Sequence, residues 1–166
     1  LQVRICDVAF SNFKQKLEQK SIIFESRVGT PQWMAPEVLR GDDYSFSADL
    51  YSFGVILWEM QHRCVPFKNM HQAAIICQIG TTDKRLEIDE ECPQFWRALM
   101  KACWRVPAAR PKFSEVLPVL RLLNEELSSA GNIGLAAGGG LTLLPAAWED
   151  SPAQAAAEQG ARRLPW

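Results

Sequence analysis

Gly29-Thr30-Pro31-Gln32-Trp33-Met34-Ala35-Pro36-Glu37, followed twelve residues later by Asp49-Leu50-Tyr51-Ser52-Phe53-Gly54-Val55, is the stretch whose reading decides the fold. Locally, Pro36 suits the first turn of a short helix, because it has no N–H to leave unpaired there. Gly41 would end that helix. A longer helix is predicted from Ser47 to His62, with Ser47 as N-cap and Asp49 in the first turn, where the helix dipole favours a carboxylate. Leu50, Phe53, Leu57 and Trp58 form one stripe, while Val55 and Ile56 lie off it. A helix apolar nearly all round is a buried one, so this segment is expected at the centre of the domain.

Working outward, residues 70–79 read as a shorter helix ending before Gly80. Pro93 suits the first turn of another, in which Trp96, Leu99, Met100 and Cys103 repeat at helical spacing. Ser114 and Glu115 open a last helix with Val116, Leu120, Leu123 and Leu127 on one face, and Pro118 falls in its first turns. Upstream, Leu1 to Cys6 alternate with the period of a strand, and residues 10–32 form a long polar connection. No second strand follows, so the fold class is mainly α. Beyond Ser129 the sequence turns rich in alanine and glycine, including Gly138-Gly139-Gly140. Residues 129–166 are read as a largely disordered tail without a core of its own. The chain opens without methionine in the middle of the strand-like run, which reads as a chain shortened at its front.

Composition narrows the function. The 166 residues are 48% apolar, with 18 basic and 19 acidic side chains and a net charge of −1. That fits one soluble domain and gives no electrostatic reason to expect nucleic acid or an anionic membrane as partner. Five cysteines in no CxxC pair argue for reduced thiols over a disulfide framework or a zinc site. The longest apolar run is too short for a membrane span, so an intracellular, cytoplasmic protein is expected. His62 and His71 have no partner spacing, and Lys14, Lys16 and Lys20 read as a solvated face.

Ile5-Cys6-Asp7-Val8-Ala9, the Gly29–Glu37 block and the Asp49–Val55 block, with Cys103-Trp104 and Arg110-Pro111 further on, resemble the protein kinase family. The mixture of Gly29-Thr30-Pro31 with Trp33-Met34-Ala35-Pro36-Glu37 resembles its tyrosine-kinase-like group, most of whose members phosphorylate serine or threonine. The resemblance covers residues 1–128. It implies the C-terminal part of the large lobe, with an activation segment at 7–37 and a helical subdomain at 38–128.

The resemblance also implies roles. Asp7 aligns with the aspartate that holds magnesium between the ATP phosphates. Val8 and Ala9 depart from the pattern, which has phenylalanine and glycine there. Thr30 aligns with the threonine that contacts the catalytic loop. Glu37 and Arg110 correspond to an ion pair joining the activation segment to the late helices; the alternative is two solvated surface charges. Asp49 either accepts hydrogen bonds from the catalytic-loop backbone or is a solvated first-turn residue. Ser21, Ser26 and Thr30 are candidate phosphorylation sites. ATP binding requires a glycine-rich loop, a strand lysine paired to a glutamate, and a catalytic loop; these 166 residues contain none of them. The expectation is part of a serine/threonine kinase that acts on protein hydroxyls, uses ATP and magnesium in its complete domain, and is inactive as these residues alone. Its partners would be a protein substrate or signalling protein. The alternatives are a non-catalytic scaffold of the pseudokinase type, or a gene remnant without a function of its own.

Overall fold

The computed structural model describes residues 30–82 and 84–129, together with Pro145 and Trp148. The chain divides into two units, Leu1–Thr30 and Pro31–Trp166, and every described residue except Thr30 belongs to the second. The strand expected at Leu1 to Cys6 and the near end of the expected activation segment lie outside the described residues.

Helix α1, Pro36–Arg40, starts on a proline and is closed by Gly41, whose φ of 73° lies in the left-handed region. The Gly41 N–H reaches the Val38 carbonyl at 3.1 Å, and the Asp42 N–H reaches that of Glu37 at 2.9 Å. This is the work expected of a C-terminal glycine, which takes that conformation without the Cβ penalty. Before it, a single 3-10 turn, Pro31–Trp33, tucks Pro31 into the interior.

Helix α2 spans Ser47–His62, the bounds the sequence predicts. Its cap differs: Ser47 is the first helical residue, and its own N–H is met by the Ser45 hydroxyl at 3.3 Å. The buried face also differs. Ala48, Leu50, Tyr51, Gly54, Val55 and Trp58 are buried, whereas Phe53 and Leu57 are only half-buried. Ile56 and Met60 stand 45% and 69% exposed, so the helix is not enclosed on all sides. Its inner face meets α4, Gln94–Cys103, at very short range. A Cβ added to Gly54 would lie 2.7 Å from Cys103 Cβ and 2.7 Å from Trp104 Nε1. Glycine at this position therefore sets the distance between the two helices.

Helix α3, lying between these two in sequence, runs Gln72–Thr82 and passes through Gly80 instead of stopping before it. A glycine stop needs positive φ, and among the described glycines only Gly41 has it. Gly80 is instead a buried contact with α1, its carbonyl accepting from Arg40 Nη1 at 3.2 Å. Helix α5, Phe113–Ser129, begins one residue earlier than expected. Its start is a capping arrangement, with Glu115 Oε2 reaching back to accept from the Lys112 N–H at 2.6 Å. Pro118 lies inside this helix, and Val116, Val119 and Leu123 form its buried face, with Leu120 half-buried.

Two apolar clusters result. The larger joins α2, α4 and α5 through Tyr51, Val55, Phe95, Leu99, Met100, Val116 and Leu123. The smaller seats α3 against α1 through Leu39, Ile75 and Ile79, with Met34 and Phe67 beside them. Trp148 stands in the larger cluster, 4% exposed, although it lies in the tail for which the sequence predicts no packed element. Among the described residues the fold is helical without strands, and no helix is long and apolar enough to cross a membrane.

Candidate functional site

The block from Pro31 to Glu37 is held at both ends. At its near end the Trp33 indole N–H donates to Glu59 Oε2 at 3.0 Å, and the Trp33 carbonyl accepts from Ser52 Oγ at 2.7 Å. Both partners are on α2, seven residues apart and so on one face of the helix. Sequence reading missed this pair of contacts. Its one available signal was the serine and the glutamate seven residues apart on one helix.

At the far end, Glu37 in the first turn of α1 meets Arg110, which follows the 3-10 turn Pro107–Ala109. Arg110 Nη1 donates to Glu37 Oε1 at 2.5 Å and Nη2 donates to Oε2 at 2.9 Å. The two parallel bonds are the planar, bidentate geometry that guanidinium favours. Both side chains are buried, 4% exposed for Glu37 and 1% for Arg110, so they are not solvated surface charges. The rest of the guanidinium is used as well. Nε donates to the Arg105 carbonyl at 2.7 Å, and Nη1 also donates to that of Ser47, the first residue of α2, at 3.1 Å. The Tyr51 ring completes the site, with the Arg110 guanidinium 5.2 Å and the Arg85 guanidinium 5.4 Å from its centroid. Cations at that range are attracted to the ring quadrupole. Arg85 is fixed in turn by donating from Nε to the Trp104 carbonyl at 3.2 Å.

Burial alone would push the Glu37 carboxyl up. The hydrogen bonds from Arg110 and its own backbone, with the charges of Arg110 and Arg40, outweigh burial and leave it below its ordinary value of 4.5. Glu37 is therefore held ionised. A buried ion pair is expensive to dehydrate and stabilises only when its geometry and remaining bonds are complete. Here each of the two carboxylate oxygens is bonded, and the guanidinium makes four contacts to oxygen.

The other expected site residues are not gathered here. Thr30 is exposed. Asp49 is exposed in the first turn of α2, where the helix dipole favours it; among the described residues no group donates to its carboxylate. Asp7, Ser21 and Ser26 lie outside the described residues. No group of three or more His, Cys, Asp or Glu among the described residues could hold a metal ion. Burial pushes the Cys103 thiol up to about 12, with the Arg110 charge pulling against it, and burial also raises that of Cys92. What the arrangement can do is mechanical. It fixes the Pro31–Glu37 segment as a rigid edge between α2 and the loop before α5.

Residues 1–120 match the family model described as protein tyrosine and serine/threonine kinase. Serine/threonine-protein kinase CTR1 of Arabidopsis thaliana is 38% identical over 73% of the chain and 14% of its own length. Mitogen-activated protein kinase kinase kinase 12 of Rattus norvegicus is 36% identical over 76% of the chain and 14% of its own length. The dlk-1 kinase of Caenorhabditis elegans, also a mitogen-activated protein kinase kinase kinase, is 36% identical over 75% of the chain and 13% of its own length. The chain spans about one-seventh of the length of these curated relatives.

Proposed function

The chain belongs to the protein kinase family, within its tyrosine-kinase-like group, and from that premise we propose that it is the substrate-facing part of the large lobe of a serine/threonine kinase. The complete domain transfers the ATP γ-phosphate to serine or threonine hydroxyls of a protein inside the cell. These 166 residues alone do not catalyse that transfer. The observation that carries the reading is the buried, bidentate Glu37–Arg110 pair, which locks the end of the segment beginning at Thr30 onto the helical body.

In the complete domain, ATP with magnesium supplies the phosphoryl group, and Asp7 is the residue of this chain that would hold the metal. Thr30 lies six residues before the anchored helix α1 and is exposed, which leaves its hydroxyl available to a neighbouring catalytic loop. The Trp33, Ser52 and Glu59 contacts keep the intervening residues from collapsing away from a bound substrate hydroxyl. A fixed edge of this kind lowers the entropy lost when two reactants are aligned. Ser21, Ser26 and Thr30 are the hydroxyls whose phosphorylation would tune that edge.

A second reading, a non-catalytic scaffold, is favoured by Val8 and Ala9, which stand where the family pattern has phenylalanine and glycine. One assay separates the two. The longer natural protein and the 166-residue chain are each incubated with labelled ATP, magnesium and peptides bearing serine, threonine or tyrosine. Transfer to serine and threonine by the longer protein, and none by the 166 residues, is expected. Labelled tyrosine would refute the specificity. Transfer by the short chain would refute its dependence on further parts. An inert longer protein with intact upstream motifs would support the scaffold.

A further inference from the structure

His62 is the last residue of α2, and its side chain is only 8% exposed. The imidazole lies flat against the Trp58 indole one turn earlier, with ring centroids 4.2 Å apart and planes 14° from parallel. Its Nδ1 stands 2.8 Å from the Trp58 carbonyl. A carbonyl oxygen only accepts, so Nδ1 carries a hydrogen whatever the charge on the ring. Nε2 is therefore the atom that gains or loses the proton, and beside it lies Asp89, on the loop between α3 and α4. Asp89 offers it two opposite partners. Its backbone N–H donates to Nε2 at 3.4 Å, which suits the neutral ring. Its carboxylate Oδ2 lies 3.5 Å from Nε2, which suits the protonated ring. The Asp89 side chain is 75% exposed, so it can turn toward the ring without repacking its neighbours.

We propose that His62 is a proton-operated fastening between the end of α2 and the α3–α4 loop, exchanging the Asp89 N–H for the Asp89 carboxylate when the ring takes up a proton. Histidine is the side chain whose ordinary titration falls between about pH 5 and 8. The added charge meets the face of the Trp58 indole, which attracts cations, and the last turn of a helix, which favours them. The loop keeps its place during the exchange because other bonds hold its backbone. The Trp58 indole N–H donates to the Glu87 carbonyl at 2.6 Å. From α4, Arg97 Nη2 donates to the carbonyls of Asp89 and Cys92, each at 3.2 Å, and to that of Glu90. Of the remaining charges, Arg63 follows His62 and is exposed, as are Glu87 and Glu90 on the loop. Glu59, three residues back on α2, is engaged by the Trp33 indole. The Cys92 thiol, raised by burial, stays uncharged in this range. The exchange thus involves one side chain and one N–H, and it does not depend on catalysis by the complete domain.

The test follows the 166-residue chain from about pH 8 to pH 5, above the ordinary range of carboxyls and above the lowered value of Glu37. In NMR the Asp89 amide is expected to shift along the same curve as the His62 ring. Its hydrogen exchange, corrected for the intrinsic effect of pH, should speed up as the N–H loses its acceptor. Exposed His71, the chain's other histidine, gives the reference curve. Asp89→Asn keeps the N–H and removes the charge, while His62→Gln removes the titration. Their effects on Tm should be coupled at pH 5 and additive at pH 8. If His62→Gln does not fold, the amide and ring curves of the unsubstituted chain carry the test. An Asp89 amide that ignores the His62 titration would overturn the proposal, as would a ring that does not titrate in this window. Coupling absent at pH 5, or equal at both pH values, would overturn it too.

Discussion

Replacing Arg110 by methionine tests the anchoring pair most directly, because it leaves the Glu37 carboxylate buried with its two strongest donors gone. Breaking a buried pair from one side costs about 3–5 kcal/mol. The same change also removes the bonds to the Arg105 and Ser47 carbonyls, so the upper part of that range is expected. Glu37→Leu alone should cost somewhat less, since Arg110 keeps those two carbonyls and the Tyr51 ring. The double variant removes both charges at once and should cost clearly less than the sum, with a coupling of about 1–3 kcal/mol. Urea melts followed by tryptophan fluorescence give all three values. The pH dependence supplies an independent check of sign. In the natural chain the Glu37 carboxyl lies below its ordinary value of 4.5. Its contribution is therefore present above that pH and lost as pH falls through the lower, folded value. In Arg110→Met, burial acts without that hydrogen bond and charge and should raise the group instead, so the variant loses stability as pH rises. The gap between the two proteins should narrow on going from pH 7 toward pH 4. Additive single costs, or a gap independent of pH, would refute the coupled, buried pair.

Three further outcomes are expected. Gly54→Ala should destabilise by about 1–3 kcal/mol, because its Cβ would sit 2.7 Å from Cys103 Cβ and from Trp104 Nε1; a thermal melt that is unchanged would mean the helices can part freely. Thiol alkylation followed by mass spectrometry should label exposed Cys77 early and buried Cys103, with its thiol pushed up to about 12, only after denaturant is added. Early labelling of Cys103 would contradict the closed α2–α4 contact. Ile56→Lys with Met60→Lys, both on the open side of α2, should leave Tm within about 1 °C and reduce self-association in light scattering; a large fall in Tm would show that this face is internal.

Much of the fold was legible before any coordinates, for reasons that differ from element to element. The bounds of α2 could be read because an uninterrupted apolar run sits between a serine cluster and a charged stretch. Glu37 and Arg110 could be read because the blocks around them carry the family pattern, and burial then turned two charges into one device. The stop at Gly80 was misread because a glycine signals a helix end only through positive φ, which composition does not reveal. The role of Gly54 depends on how near α4 approaches, a tertiary distance with no local trace. The buried face of α2 was displaced by one strip for the same reason, since its width follows from what packs on it. Trp148 was hidden by its neighbours: one tryptophan after the short run Leu141-Thr142-Leu143-Leu144-Pro145 and two alanines leaves no periodicity to detect, and only contact with the lobe gives it a place. The near end of the expected activation segment, with Asp7, Ser21 and Ser26, lies outside the described residues.

The Arg110 fork also bears on the order of events in folding. Glu37 and Arg110 are separated by 73 positions, and closing a loop of that length costs about 4 kcal/mol of chain entropy by the logarithmic rule. Neither end is rewarded until α2 and α4 have packed, because only then is water excluded from the pair. The anchor should accordingly form after the transition state. Its removal should leave the refolding rate nearly unchanged and speed unfolding, which chevron analysis of Arg110→Met can read directly. The residue that fixes the Pro31–Glu37 segment in space would then also act as the latch that sets how long the lobe, once folded, stays folded.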